Sequence, residues 1–147
     1  MRMQGTPAGG FKTVGQIVGT NRLSFRTDQN AEEIANELLE SHMSGAPVLD
    51  TGGKLVGFIS ELDILRAFES GRDRDGHLHG LKAMDIMTKN PVTIDESTAI
   101  SEALRIMKEN HWLSLPVEQD GVVKYSVTRH DLLRAYTGIG LGPEQLA

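Results

Sequence analysis

A hydroxyl side chain precedes a carboxylate by three residues at two places in the sequence, Ser60 before Asp63 and Thr128 before Asp131. This spacing fits a helix capping box, in which both side chains accept hydrogen bonds from backbone N–H groups at the start of a helix. A single copy favours capping alone, because capping boxes are common. A carboxylate still has lone pairs for another donor, so the same residues can cap a helix and bind a ligand.

Neither pair lies in a recognisable catalytic motif. The sequence contains no Gly-x-Ser-x-Gly motif, no glycine-rich phosphate loop with its lysine and no zinc-protease helix motif. His130 stands inside the second pair, but the sequence alone does not fix its direction on a helix. His77 and His79 have no carboxylate-and-histidine set at useful spacing, and cysteine is absent. We therefore expect a protein that is not an enzyme, with no catalytic residue and no native metal site.

Composition narrows the class of protein and of partner. The chain has 147 residues and no cysteine, so it can bury a core without disulfides and fits a reducing compartment. No apolar run approaches the roughly 20 residues of a membrane span, and the first ten residues lack the apolar core of a signal peptide. The net charge of -5 argues against sequence-independent binding of nucleic acid. We expect a cytoplasmic protein that binds small molecules and other proteins, with no nucleic acid and no membrane as partner.

The elements around the first pair follow from apolar periodicity and turn residues. Helical spacing of apolar residues predicts a helix over about 31–42. Two apolar runs, 47–49 and 54–59, are separated by Asp50-Thr51-Gly52-Gly53. This segment predicts a hairpin, because glycine accepts the positive φ of a tight turn. The second run leads directly into a predicted helix over about 61–69.

The same pattern occurs a second time. Pro47 recurs as Pro116 at an offset of 69, and Asp63 recurs as Asp131 at an offset of 68, so the second hairpin is one residue shorter. Each copy predicts a strand, a helix, two strands and a helix, which is too small a unit to bury its own core. We therefore predict an α/β (α+β) fold of two βαββα repeats. They would pack sheet to sheet with pseudo-twofold symmetry, and grooves would form where the sheets meet.

The repeats divide the chain into five predicted segments. These are a flexible lead-in at 1–13, a first repeat at 14–70, a linker at 71–82, a second repeat at 83–137 and a C-terminal tail at 138–147. The lead-in is rich in glycine, threonine and proline, and the linker is polar and charged. No output domain is recognisable among these segments. We therefore expect that the regulated protein is a separate chain or that these residues are a fragment of a longer chain.

With the repeats in place, the chain resembles a pair of CBS domains, the tandem modules named after cystathionine β-synthase. The resemblance covers roughly Val14 to Thr137. Its markers are the strand-one segments 17–25 and 86–93, the Pro-Val starts at Pro47 and Pro116, and the Gly-x-x-Ser/Thr-x-x-Asp junction. The resemblance implies a regulatory module, usually a homodimer, that requires no cofactor and binds AMP, ADP, ATP or S-adenosylmethionine between its repeats. Such a module would signal to an effector protein.

The resemblance also assigns roles to the two hydroxyl–carboxylate pairs. Asp63 and Asp131 would accept hydrogen bonds from the two ribose hydroxyls, which suits an acceptor-only carboxylate. Ser60 and Thr128 would meet the ribose or a phosphate at a helix N-terminus, where free N–H groups and the helix dipole favour anions.

Adenine would be contacted by Thr20 and Thr88, after strand one, and by the residues before each proline. The family draws these from the repeat opposite the aspartate, so Asp63 would share a cleft with Thr88 and Leu115. The second aspartate would share a cleft with Thr20 and Ala46. The complete predicted set of ligand-binding residues is Asp63, Ser60, Ile59, Gly57, Thr88, Leu115, Pro116, Asp131, Thr128, Arg129, His130, Thr20, Ala46 and Pro47.

The second junction departs from the first at one position. Tyr125 stands where the first junction has Gly57, and a phenol ring fills space that glycine leaves open or forms a stacking wall. Arg129 and His130 make the entrance of the second junction basic, which suits phosphates. We therefore expect two clefts that differ, with the Asp131 cleft narrower. The alternative is a ligand-independent dimerisation module, in which both pairs only cap helices.

Overall fold

The computed structural model of the protein describes residues 11–17, 19, 21–70, 78 and 80–138. Within them the chain forms two compact units. The N-unit comprises the described residues within 23–92 and 121–123, and the C-unit comprises those within 1–22, 93–120 and 124–147. The segment before residue 23 therefore belongs to the unit of the second predicted repeat. The start of the second repeat, up to residue 92, belongs to the unit of the first.

A four-stranded sheet and three helices form the N-unit. The strands are β1 (Phe25–Arg26), β2 (Gly45–Leu49), β3 (Leu55–Ser60) and β4 (Thr88–Lys89), hydrogen-bonded in this order. β1 is parallel to β2, and the other neighbours are antiparallel. The helices are α1 (Ala31–Ser41), α2 (Glu61–Glu69) and α3 (Ala83–Ile86). The structure confirms the predicted first helix, the hairpin and the helix over 61–69.

Local hydrogen bonds explain where these elements begin and turn. Asn30 precedes α1, and its side chain accepts a hydrogen bond of 2.8 Å from the backbone N–H of Glu32. In the β2–β3 hairpin, Asp50 Oδ1 accepts a hydrogen bond of 2.9 Å from the backbone N–H of Lys54. Gly53 has a φ of 82°, a conformation that glycine adopts without steric cost. The hairpin therefore depends on the turn residues from which it was predicted.

The core of the N-unit joins its helices to one face of its sheet. Its buried side chains include Ile34 and Leu38 from α1, Ile64 and Ala67 from α2, and Ala46, Val48 and Ile59 from the strands. Because side chains alternate along a strand, Phe58 and Ser60 lie on the opposite face from Ile59. Ser60 therefore ends β3 on the face of the sheet that is directed away from this core.

The C-unit repeats the central elements of the N-unit. α4 (Ile100–Asn110), β5 (Ser114–Gln119), β6 (Val122–Thr128) and α5 (Arg129–Thr137) follow the order of α1, β2, β3 and α2, and β5 pairs with β6. The N-terminal segment joins this unit through hydrogen bonds. The backbone N–H of Val14 donates to Thr98 O at 2.8 Å, and that of Ser126 donates to Asn21 O at 3.0 Å.

Alternating strand residues and helix residues again form the core of the C-unit. It contains Leu115, Val117, Tyr125 and Val127 from the strands, Ile100, Ala103, Met107, Leu132 and Ala135 from the helices, and Phe11, Val14 and Ile17 from the N-terminal segment. The alternation places Ser126 and Thr128 on the other face of β6. Tyr125 thus lies on the core side of its strand, opposite to the hydroxyl that ends it.

The predicted strands at 17–25 and 86–93 are wrong in extent. Among the described residues, the first segment contributes only to the two-residue β1, and the second forms only the two-residue β4. Asn90 follows β4 with a φ of 52°, and Pro91 has no N–H to donate to a sheet. These two residues end the strand, and an extended apolar pattern alone does not reveal that limit.

The predicted linker is partly attached to the N-unit. Leu78 is buried in its core, and the backbone N–H of Leu78 donates to Glu32 Oε1 at 3.2 Å. Leu81 O accepts a hydrogen bond of 2.9 Å from the backbone N–H of Ala31. Residues 71–77 and 79 lie outside the described part of the chain. The described linker residues therefore help to hold the start of α1.

Candidate functional site

The first hydroxyl–carboxylate pair forms a complete capping box in the N-unit. Ser60 ends β3 and is the N-cap residue of α2, and its backbone N–H donates to Asp63 Oδ2 at 2.8 Å. In return, the backbone N–H of Asp63 donates to Ser60 Oγ at 3.3 Å. The Ser60 hydroxyl also donates to Asp63 Oδ2 at 3.1 Å. The capping function predicted from the spacing is therefore confirmed, and it uses one of the two carboxylate oxygens.

The second oxygen of Asp63 faces a different part of the N-unit. The Thr88 hydroxyl donates to Asp63 Oδ1 across 3.4 Å, and Arg66 Nη1 lies 3.8 Å from the same oxygen. The Asp63 side chain is 9% exposed. A hydrogen bond of 3.4 Å is long for an O–H donor, whose usual distance is about 2.7–2.8 Å. Oδ1 can therefore accept a shorter hydrogen bond from another donor. The structure also places Thr88 next to Asp63, as the resemblance predicted.

Gly57 lies where β3 and the strand that carries Thr88 approach each other closely. β3 and β4 pair with Gly57 opposite Lys89. A Cβ atom at Gly57 would lie 2.4 Å from Met87 Sδ and 3.1 Å from Thr88 O. The Met87 side chain is flexible and could move away, but the backbone oxygen of Thr88 would have to shift by a few tenths of an ångström, so glycine favours the close approach of β4. Its contribution to the site is therefore indirect, through the strand that carries Thr88.

A pocket beside Asp63 extends away from the capping box. Its volume is about 180 Å³, and it is lined by Asp63, Arg66, Ala67, Ser70, Leu81, Asp85 and Ile86. Small-molecule sites usually measure roughly 300–1,000 Å³, so this pocket alone has room for only part of a nucleotide. Sequence reasoning missed Arg66 and Asp85. Arg66 stands one helical turn after Asp63, and that spacing was the available signal.

The second pair forms an equivalent capping box in the C-unit. The backbone N–H of Thr128 donates to Asp131 Oδ2 at 2.9 Å, and the backbone N–H of Asp131 donates to Thr128 Oγ1 at 3.1 Å. Asp131 is 12% exposed, and Arg134 Nη1 lies 4.0 Å from its Oδ1. The two carboxylates are therefore held in the same way by their own helices. Thr20, the predicted counterpart of Thr88, lies outside the described residues.

Tyr125 fills space that a glycine leaves open on the neighbouring segment. A Cβ atom at Gly19 would lie 2.3 Å from Tyr125 Cδ2. The guanidinium of Arg22 lies 5.2 Å from the centre of the phenol ring, within cation–π range, and Arg22 Nη1 donates to Gly19 O at 2.8 Å. Gly19 stands 69 residues before Thr88, at the first repeat offset. The glycine lies on the strand in the N-unit and on the facing segment in the C-unit. Inspection of Tyr125 alone did not reveal this difference.

The hydroxyl of Tyr125 is held in an acidic environment. It donates to Glu96 Oε2 across 3.4 Å, and Lys124 Nζ donates to Glu96 Oε1 at 2.8 Å. Burial raises the pKa of Tyr125 to about 12, and the negative charge of Glu96 adds to this shift. The hydrogen bond from Lys124 lowers the pKa of Glu96. Tyr125 is therefore a neutral, buried hydrogen-bond donor over the ordinary range of pH.

Other predicted site residues divide into buried and exposed groups. The side chains of Ala46 and Ile59 lie in the N-unit core, and that of Leu115 lies in the C-unit core, so these three side chains are not exposed to a ligand. Pro47 and Pro116 are fully buried, whereas Arg129 and His130 are exposed in the first turn of α5. The predicted clefts that combine residues of both units remain predictions.

Two serine hydroxyls of the C-unit are buried without a hydrogen-bond partner among the described residues. They are Ser114 Oγ on β5 and Ser126 Oγ on β6. Ser126 and Thr128 lie on the same face of β6, away from the core residues. A buried hydroxyl that stays unpaired costs about 1–3 kcal/mol, and a ligand or an ordered water commonly satisfies it. Sequence reasoning missed Ser126, because a serine in a strand has no distinctive pattern.

The described residues contain no group of three or more histidine, aspartate or glutamate side chains placed to hold a metal ion. His77 and His79, the histidines considered as metal ligands, lie outside that part of the chain. Among the described helices, none has the length and apolar character needed to cross a membrane.

Known proteins resemble this chain in sequence and in structure. The family described as CBS domain matches residues 14–70 and 83–138. The crystal structure of CBSX2 in complex with AMP, a protein of Arabidopsis thaliana, has a TM-score of 0.75 and 28% identity, covering 88% of this chain and 98% of that chain. The CBS domain pair of protein MJ0100, in complex with 5′-methylthioadenosine and S-adenosyl-L-methionine, has a TM-score of 0.73 and 25% identity, covering 87% and 98%. The chloroplastic CBS domain-containing protein CBSX1 of Arabidopsis thaliana is 25% identical over 92% of this chain and 68% of its own length.

Proposed function

The chain belongs to the CBS-domain family, and we propose that it is a regulatory module that binds an adenosine-containing ligand. Two similar CBS-pair structures contain AMP, and 5′-methylthioadenosine with S-adenosyl-L-methionine. AMP, ADP, ATP and S-adenosylmethionine are therefore the candidate ligands, and no further cofactor is required. In this proposal the module regulates another protein and catalyses no reaction itself.

The state of the Asp63 carboxylate is the observation that carries this proposal. Oδ2 is occupied by the capping box, whereas the contacts of Oδ1 with described residues are the long bond from Thr88 and a distant Arg66. A ribose offers two adjacent O–H donors, and an ionised carboxylate can accept both. Ser60 and the start of α2 would place N–H groups and the helix dipole near a phosphate. Capping and ribose binding are thus compatible at one residue.

The C-unit supports a second site of different chemistry. Asp131 has the same capping geometry, and Arg129 and His130 are exposed beside it. The guanidinium of Arg129 and the imidazole of His130 would favour a ligand with more phosphates. The unpaired hydroxyls of Ser114 and Ser126 offer further partners on the same sheet face as Thr128. We therefore propose that the two sites are not equivalent and that the Asp131 site prefers the more highly phosphorylated ligand.

The proposal includes a homodimer and an effector protein. Exposed leucines on α2 and α5, Leu65 and Leu133, are each 60% exposed and provide apolar surface for association. Ligand binding would shift the module between two arrangements that the effector distinguishes. The free energy of this shift is limited to the difference in the ligand's affinity for the two arrangements. The cytoplasm remains our proposed location.

A thermal-shift screen with AMP, ADP, ATP, S-adenosylmethionine and NADH tests ligand binding. A ligand at 100 times its Kd raises stability by about 2.7 kcal/mol, which is a Tm increase of roughly 5–10 °C for a chain of this size. Asp63→Asn keeps an acceptor for the Ser60 N–H but loses the charge, so it should remove the response of its site with little loss of fold. Asp50→Asn is the matched control, because Asp50 also accepts backbone N–H groups but lies in a hairpin turn.

One observation favours the alternative of a ligand-independent interaction module. Both capping boxes are complete in the protein alone, with Ser60 and Thr128 each accepting from the aspartate N–H. Helix capping alone would then explain why Asp63 and Asp131 stand at these positions, without a ligand. If no nucleotide changes the Tm at millimolar concentration, the sensor proposal is wrong and the alternative stands.

A further inference from the structure

The pocket beside Asp63 is lined by charges of both signs, and we call it the Asp63 pocket. Asp63 and Asp85 contribute carboxylates, and Arg66 contributes a guanidinium whose side chain is 66% exposed. The backbone N–H of Lys82 donates to Asp85 Oδ2 at 2.8 Å, and among the described residues no second donor bonds this carboxylate. The Oδ1 atom of Asp85 is therefore available to a donor from a ligand.

The C-unit repeats the backbone that carries two residues of this lining. The carbonyl of Leu81 accepts a hydrogen bond of 2.9 Å from the first residue of α1, and that of Lys12 accepts one of 2.9 Å from the first residue of α4. Asp85 accepts a hydrogen bond of 2.8 Å from the backbone N–H three residues before it. Gln16 accepts one of 3.1 Å from the N–H three residues before it. Lys12 and Gln16 therefore stand where the N-unit has Leu81 and Asp85.

This replacement reverses the balance of charge at the repeated positions. Around Asp131, Gln16 is neutral, Lys12 adds an ammonium group, and Arg134 repeats the guanidinium of Arg66. One carboxylate and two cations thus replace the two carboxylates and one cation of the Asp63 pocket. The repeated positions therefore favour a cationic ligand group in the N-unit and an anionic one in the C-unit.

The first residues of the two helices differ in the same direction. Glu61 begins α2, and Arg129 begins α5. Free N–H groups at the start of a helix favour an anion. Glu61 opposes this effect in the N-unit, whereas Arg129 adds to it in the C-unit. A phosphate is therefore less favourable beside Asp63 than beside Asp131, because like charges repel.

We propose that the Asp63 pocket takes the 5′ substituent of an adenosine ligand and selects a substituent that carries positive charge. The pocket volume of about 180 Å³ has room for such a group, although not for a whole nucleotide. Among the candidate ligands, S-adenosylmethionine has this chemistry, because its 5′ sulfur is a sulfonium and its aminoacyl end carries an ammonium and a carboxylate. The ammonium would donate to Asp85 Oδ1, and the carboxylate would accept from Arg66. The inference rests on the proposed ribose site at Asp63 and names the ligand class that this site prefers.

Isothermal titration calorimetry of the Asp131→Asn chain tests this preference, because that substitution leaves the ribose site at Asp63 as the one under study. The three probes differ in the charge of the 5′ substituent: S-adenosylmethionine, the uncharged 5′-methylthioadenosine, and AMP. We expect S-adenosylmethionine to bind about tenfold more tightly than 5′-methylthioadenosine, and AMP to bind about tenfold more weakly, because the pocket attracts a cation and repels a phosphate. AMP binding as tightly as S-adenosylmethionine would overturn the inference.

Asp85→Asn, made in the same background, tests the carboxylate itself. It keeps an acceptor for the Lys82 N–H, so the start of α3 is retained, but it removes the charge. The Kd of S-adenosylmethionine should rise about tenfold, whereas that of 5′-methylthioadenosine should stay within about twofold. Asp50→Asn is the matched control, since it removes the same charge from a hairpin turn and should leave all three affinities unchanged. An unchanged Kd of S-adenosylmethionine in Asp85→Asn would contradict the proposed contact.

The C-unit provides the converse test. In the Asp63→Asn background, Gln16→Glu keeps an oxygen that accepts from the backbone N–H groups of Lys12 and Thr13, and it adds a negative charge. We expect this variant to weaken ATP binding about tenfold. An unchanged ATP affinity would show that the repeated position does not face the phosphates, and the inference from the two units would be wrong.

The outcomes separate this inference from the proposed function. If AMP and 5′-methylthioadenosine bind the Asp131→Asn chain and Asp63→Asn removes that binding, the ribose site stands, and the order of the three affinities alone decides the inference. If none of the three probes binds the Asp131→Asn chain at millimolar concentration, the ribose site at Asp63 is wrong and the inference fails with it.

Discussion

The two strand-to-helix junctions share one capping geometry and differ in where the small residue stands. In the N-unit, Gly57 lies on the strand and faces the side chain of Met87. In the C-unit, Tyr125 lies on the strand and faces Gly19. The glycine has changed sides of the contact, although Gly19 corresponds to Thr88 and not to Met87 at the repeat offset. The space that a bulky residue occupies at a repeat position therefore depends on the segment that packs against it.

This difference also changes what surrounds each carboxylate. The open strand position in the N-unit admits β4, which carries Thr88 to within 3.4 Å of Asp63. In the C-unit, the ring of Tyr125 is held between Arg22 and Glu96, with its hydroxyl 3.4 Å from Glu96. The N-unit junction therefore carries a hydroxyl on its neighbouring strand. The C-unit junction carries a buried phenol and a cation.

Removing the ring of Tyr125 should have the largest effect. We expect Tyr125→Ala to lower the free energy of unfolding by about 3–5 kcal/mol in urea denaturation, because it empties a core position. Gly19→Ala alone should cost about 1–3 kcal/mol, since its Cβ would meet the ring. In the Tyr125→Ala background, Gly19→Ala should cost almost nothing. Additive losses would contradict the paired contact.

Filling the opposite position in the N-unit should have the next largest effect. We expect Gly57→Ala to cost about 1–3 kcal/mol of unfolding free energy, because the new Cβ displaces Met87 and β4. Gly52→Ala is the control, since its Cβ would meet only Asp50 Oδ1 at 3.4 Å. That variant should stay within about 0.5 kcal/mol of the unaltered chain. Equal stability of the two variants would mean that β4 does not need the close approach.

The capping boxes are where the two junctions should behave alike. Ser60→Ala and Thr128→Ala each remove one acceptor of a helix N–H, so each should cost about 1 kcal/mol. Chemical denaturation of both variants measures the two losses. A loss at one junction only would show that the capping boxes, which have the same geometry, do not contribute equally.

Tyrosine titration should give the smallest effect and the sharpest distinction between the units. Burial raises the pKa of Tyr125 to about 12 from an ordinary value of 10.0. The folded state favours the neutral phenol, so this contribution to stability is present below about pH 10 and is lost as pH rises through about 12. The tyrosinate absorption of the protein, compared with that of Tyr125→Phe, measures the pKa. Glu96→Gln should lower it, and an unchanged value would exclude Glu96 as a cause.

Sequence reasoning predicted the elements that local signals determine. The helix over 61–69 was predicted with the bounds of α2, because Ser60 and Asp63 mark its start and apolar spacing marks its face. The hairpin followed from glycines in its turn. The strand-one segments were predicted too long, because the limit of β4 depends on the backbone of Asn90 and on Pro91.

Contacts between distant segments were beyond the reach of the sequence. Gly19 and Tyr125 are more than 100 residues apart, and nothing in either segment alone indicates that one accommodates the other. Ser126 was also missed, because a serine in a strand has no distinctive pattern and the burial of its hydroxyl depends on tertiary packing. By contrast, the pairing of Asp63 with Thr88 was predicted from family resemblance, and the structure brings the two residues together.

A crystal structure of the protein soaked with the nucleotide that gives the largest thermal shift tests the central claim most directly. We expect ribose hydroxyls within hydrogen-bonding distance of Asp63 and of Asp131, with occupancy or pose that differs between the two sites. A ribose bound away from both carboxylates would contradict the proposed function. Equal occupancy with identical poses would contradict the proposed difference between the two junctions.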